Sequence, residues 1–146
     1  MKTDYIIRID RTEGTSFPYW IKEIMHPGLS SFRPDEYYLD TVEKWLHPDQ
    51  KDHAIGGDPI FSKLEEDNAF VKCLDLDDLL AIQAKGIEIF LKFYSGMNVF
   101  GWGSVGKALS GKLIVPSLVE DRSKVVLCWN WLNYYWNKYD PALRFR

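Results

Sequence analysis

The sequence predicts a single α+β domain over residues 1–146, with a small mixed or antiparallel sheet packed against helices. Three observations lead there. A chain of 146 residues with 46% hydrophobic residues can bury one sizeable core and is short for two. Segments with strand and helix periodicity follow one another with no internal repeat, low-complexity stretch or linker between them. Aromatic residues make up 15% of the chain, so large rings must supply much of the burial.

The elements follow in order. Tyr5, Ile7 and Ile9 alternate along DYIIRID, which predicts a strand over 4–10. FPYWIKEIMH predicts a short helix with Pro18 in its first turn, closed by Pro27-Gly28. Pro34 and Pro48 bracket a longer helix, in which Tyr38, Leu39, Val42, Trp45 and Leu46 share an arc of about 120°. Glu36, Asp40, Glu43 and His47 fall on its opposite face, an acidic stripe suited to a basic partner. Asp58-Pro59 starts a turn of helix through FSKLEED, and AFVKCL is a short apolar run. Asp75 caps a helix that ends near Gly86. IEIFLKFY alternates over eight residues and predicts a strand, and KLIVPS predicts another whose end Pro116 confines to an edge or a bend. The last element, SKVVLCWNWLNYYWNKYDP, predicts an apolar, aromatic-rich C-terminal helix. Its core arc holds Val125, Cys128, Trp129, Leu132, Tyr135, Trp136 and Tyr139, while Leu127, Trp131 and Tyr134 form a second apolar patch. Trp131 and Tyr134 are its candidate interface anchors.

FGWGSVGKALSGK carries two phosphate-binding spacings. Gly101, Gly103 and Gly106 match the dinucleotide pattern, and Gly101 to Lys107 match the start of a P-loop. Neither context is present. Gly111 and Pro116 leave too little room for the helix that a dinucleotide fold requires, and Ala108 stands where a P-loop needs its magnesium-binding hydroxyl. The stretch is therefore a glycine-rich connection, in which Trp102 either closes the core or anchors a partner.

Other chemistries are weakly represented. The loop HPDQKDHAIGGD, residues 47–58, gathers His47, Asp49, Asp52, His53 and Asp58 without a metal-binding register. Cys73 and Cys128 are expected to be reduced core cysteines. No catalytic nucleophile has a recognisable signature, and the aromatic residues do not interleave with Lys and Arg as in an RNA-binding strand. The expectation is no enzyme, no cofactor or metal, and no nucleic-acid partner. Charged residues in MKTDYIIRID leave no signal-peptide apolar run, and no apolar run is long enough to span a membrane. A soluble, cytoplasmic protein is expected.

Net charge is −3, yet residues 35–78 hold thirteen acidic residues against four lysines, a net −9, which leaves +6 for the rest. Such asymmetry steers partners. The profile of a small acidic domain rich in Trp and Tyr resembles inhibitors that neutralise a basic enzyme, immunity proteins among them. That resemblance implies an acidic protein-binding module that takes a basic protein partner. The partner-binding residues are Glu36, Asp40, Glu43, Asp49, Asp52, Asp58, Glu65, Glu66 and Asp67, with Trp102, Trp131 and Tyr134 as aromatic anchors. Two alternatives stand beside it. One is a small nucleotide- or metal-binding enzyme using the 101–107 and 47–58 loops; the other is a homo-oligomer subunit that buries Leu127, Trp131 and Tyr134.

Overall fold

The computed structural model describes residues 2–146. In chain order it runs β1 (Ile6–Arg8), β2 (Ile21–Ile24), β3 (Glu36–Tyr38), β4 (Glu43–Trp45), β5 (Ile55–Gly56), α1 (Gly57–Glu66), α2 (Leu76–Ala84), α3 (Ile87–Tyr94), β6 (Val99–Phe100), β7 (Gly106–Ala108), β8 (Leu113–Asp121), β9 (Lys124–Trp131), β10 (Tyr135–Trp136) and β11 (Ala142–Arg144). Short 3-10 turns link many of them. The fold is α+β with a mixed sheet, as the sequence predicts.

The sheet is built around β8. Its residues 114–121 pair with β9 along one edge, and it pairs with both β7 and β6 on the other; β2 then extends β7, and β11 and β4 extend β6. All of these pairings are antiparallel except β11 with β6. Two small ribbons, β1–β3 and β5–β10, complete the architecture. Pro116 sits inside β8 rather than at a bend. Its carbonyl accepts from the Gly101 N–H, on the side away from β9, so its missing N–H falls where β6 gives way to β7 and costs no ladder bond.

Both faces of this sheet are covered. The neighbours Val99 and Phe100 belong to different buried clusters, as do Ala142 and Leu143. Successive strand residues point to opposite faces, so one cluster lies on each. The first gathers Ile60 and Leu64 of α1 with Trp102, Val115 and Trp136; the second gathers Leu79 and Ile82 of α2 and Phe90 and Tyr94 of α3 with Ile7, Leu118 and Leu143.

Several predicted elements change type. The expected C-terminal helix is β9, β10 and the turns after them. Val125, Val126 and two tryptophans favour an extended chain, and Arg122 and Ser123, both at positive φ, turn it tightly back along β8. Conversely, IEIFLKFY is α3: Phe90 and Tyr94, one helical turn apart, are its buried residues. The bracketed 34–48 segment forms β3 and β4 around a 3-10 turn, FPYWIKEIMH contributes β2, and AFVKCL holds a 3-10 turn. The helix capped by Asp75 and the helix after Asp58-Pro59 are present, the latter capped by Gly56.

Candidate functional site

The glycine stretch is a buried crossing, not a phosphate cradle. Gly101 N–H donates to Pro116, Gly103 N–H to Leu74 and Ser104 N–H to Gly101, so these amides are already committed. A Cβ on Gly103 would lie 2.7 Å from the Cys73 carbonyl and 2.9 Å from that of Leu74. That glycine is needed for close backbone approach. Trp102 is 1% exposed and its ring sits 5.7 Å from that of Trp136. The expectation of Trp102 as a partner-binding anchor is thus corrected, because its ring is buried in the core against Trp136.

A second site was not visible in the sequence. Arg11 and Arg33, far away in the chain, converge on the N-terminus of α2. Arg11 Nη2 donates to Asp78 at 2.8 Å, Tyr37 Oη donates to the same carboxylate at 2.7 Å, and Asp75 and Asp78 cap each other's backbone N–H. Arg33 donates to the carbonyls of Cys73 and Phe70 and to Asp75. Burial, with Asp75 beside it, raises the Asp78 carboxyl to about 7, and burial lifts Asp77 against the opposing Thr15 hydrogen bond. A hollow of about 180 Å³ opens beside this network, lined by Thr15, His26, Arg33, Asp75 and Ser104 among others. The carboxyl and guanidinium groups spend their hydrogen bonds on one another and on nearby backbone groups. Two guanidinium groups and two carboxyl groups, mutually hydrogen-bonded, brace the 10–35 loops against α2.

Pairing also redraws the acidic window. Glu36 meets Arg8 at 3.2 Å, Glu43 meets Arg144 at 3.6 Å, Glu65 lies 3.7 Å from His26, and Asp67 pairs with Lys63. Asp75 and Asp78 are held by arginines from outside the window. Glu36, Asp40 and Glu43 lie on β3, a 3-10 turn and β4 rather than along one helical stripe. Among the described residues, Asp40, Asp49, Asp52, Asp58 and Glu66 are the window's exposed carboxylates that form no ion pair.

Asp52 and Asp58 flank opposite ends of the β5–β10 ribbon, and Asp49 lies on the 3-10 turn before it. Tyr135 pairs with Gly56 and Trp136 with Ile55, and the Gly57 N–H donates to Leu132. Gln50 fastens the preceding loop by donating to the carbonyls of Asn137 and Asp140. At one end of the ribbon a hollow of about 220 Å³ is lined by Asp58, Lys112, Leu113, Trp131, Leu132 and Asn133. At the other end a hollow of about 180 Å³ is lined by Asp52, His53, Lys138 and Tyr139 among others. Tyr134, Tyr135 and Tyr139 are 51%, 75% and 53% exposed along this surface. The sequence singled out Asp49, Asp52, Asp58, Trp131 and Tyr134, and the fold brings them to one ribbon; it missed Tyr135 and Tyr139, which a helical projection turned inward. The signal was the alternation of exposed Tyr135 with buried Trp136, a strand property.

His47 spends Nδ1 in accepting from the Asp49 N–H as a helix cap. Among the described residues no group of three or more His, Cys, Asp or Glu is placed to hold a metal ion, and no helix is long and apolar enough to cross a membrane. Comparison with known proteins finds no matching family model, no matching curated protein and no matching solved structure.

Proposed function

We propose that this protein is an acidic protein-binding module that takes a basic partner on its β5–β10 ribbon, as an inhibitor of the immunity type does. The observation that carries the reading is the juxtaposition of unpaired Asp49, Asp52 and Asp58 with exposed Tyr134, Tyr135 and Tyr139. Each half has a distinct physical role. Unpaired carboxylates attract a basic surface from a distance and accelerate encounter. Tyrosines supply large contact area at a low entropy cost, with a hydroxyl for hydrogen bonding, and so set how long the complex lasts.

The test uses the immobilised protein and the basic protein that it retains at low ionic strength. Asp52→Lys with Asp58→Lys should slow association and weaken its dependence on salt. Tyr135→Ala should leave association nearly unchanged and speed dissociation, at a cost of about 2 kcal/mol or about thirtyfold in Kd. Unchanged binding in both variants assigns the partner to another surface and overturns the reading.

A further inference from the structure

The outer edge of β9 has a symmetry that its sequence does not advertise. Even-numbered residues of this strand bond to β8: Lys124 faces Asp121 across the two-residue turn, and the Leu132 N–H donates to Leu113. Odd-numbered residues then aim their N–H and C=O groups away from β8. Two of the outward carbonyls are taken, Val125 by Gln83 Nε2 and Trp131 by the Tyr134 N–H. Between them, the outward groups of Leu127 and Trp129 meet no hydrogen-bond partner among the described residues. The free positions and the taken ones are both spaced evenly about Cys128.

We propose that this edge is a self-association site, at which β9 pairs antiparallel with β9 of a second copy about a two-fold axis through Cys128. Leu127 then lies opposite Trp129 of the second copy, and Trp129 opposite its Leu127, so that each free N–H and C=O finds a partner. A two-fold axis needs free positions that map onto one another, and Leu127 and Trp129 do so about Cys128. The stretch VVLCWNW contains no charge and no proline, the devices that ordinarily protect an exposed edge from pairing. Pairing about Cys128 also places no like charges opposite each other, since the paired residues, Leu127 and Trp129, are uncharged. The pairing uses the backbone of Leu127 and Trp129 and none of the ribbon's carboxylates or tyrosines, so its test is independent of the partner proposed above.

The axis makes a sharp prediction. Cys128 of each copy occupies a non-hydrogen-bonded pair, with Cα atoms about 4.5 Å apart, within the span of a disulfide. Cys73 is fully buried, with its thiol pushed up to about 12 by burial, and stays out of reach. Sedimentation of the reduced protein should show a concentration-dependent dimer. Diamide, which takes up the two electrons and two protons released by two thiols, should convert that dimer to a covalent one through Cys128. Cys128→Ser should keep the dimer and lose the cross-link. Cys128→Lys, placing two ammonium groups at the axis, should lose the dimer while retaining the near-ultraviolet circular dichroism of the folded monomer. A monomer at every concentration overturns the proposal, even if diamide slowly cross-links it by collision. A dimer that neither cross-links through Cys128 nor responds to Cys128→Lys overturns it equally, because its interface then lies elsewhere.

Discussion

Single residues carry the sharpest contrasts between spacing and structure. Gly101, Gly103 and Gly106 have the spacing of a nucleotide fingerprint, but what makes Gly103 a glycine is the pair of carbonyls, Cys73 and Leu74, that lie where a Cβ would go. Backbone atoms cannot swing aside as a side chain can. Gly103→Ala should therefore cost about 1–3 kcal/mol, read as a lower urea midpoint with an unchanged slope. Trp102, beside it, should behave as a core residue: truncation to Ala should cost about 3–5 kcal/mol. Because its indole N–H has no acceptor among the described residues, Trp102→Phe should cost much less. Neither outcome was legible from the local sequence. The carbonyls that crowd Gly103 come from a segment almost thirty residues away in the chain.

At the level of elements, periodicity misleads where a short segment fits both the strand and the helix period. IEIFLKFY satisfies strand alternation and is a helix, while VVLCWNW fits a helical arc and is a strand. A sheet covered on both faces removes the polar half of the alternation on which such readings depend. What survives is chemistry confined to neighbours. Asp75 caps α2 through a reciprocal bond with Asp78, and that helix was legible because a cap needs only three residues of sequence. The β8–β9 turn is a local feature of the opposite kind. Arg122 and Ser123 hold φ of 52° and 64°, a left-handed pair that non-glycine residues adopt at a cost. Arg122→Asn combined with Ser123→Gly should therefore raise stability by about 1–2 kcal/mol in thermal or urea unfolding.

Across the whole molecule, charge is redistributed by folding. A window with net −9 in sequence becomes a surface on which Arg8, Arg11, Arg33 and Arg144 cancel much of the acid, leaving Asp49, Asp52 and Asp58 beside the tyrosine ribbon. The same convergence gives stability a pH dependence. Burial raises the folded-state carboxyl of Asp78 to about 7 from an ordinary value of 3.8, so the folded chain holds a proton that the unfolded chain has already released. A raised aspartate destabilises the fold increasingly as pH climbs through that window, and fully above it. Melting temperature should accordingly rise on acidification from about pH 8 to about pH 5, with a flatter slope in Asp78→Asn. An identical slope in the variant would remove Asp78 as its source.

By itself the sequence determined the α+β class, the helices that follow Asp58-Pro59 and Asp75, the first strand, and the failure of the glycine spacing to meet the requirements of a phosphate loop. These depend on composition, on capping chemistry and on turn residues, all of which act over a few positions. Only the tertiary structure decided that 124–131 and 135–136 are strands, that Trp102 is buried, that Arg11 and Arg33 close on Asp75 and Asp78, and that Asp58 stands beside Trp131. Those outcomes depend on which distant segment covers each face of the sheet, and the free energy of that contact exceeds the small local preferences that a sequence displays.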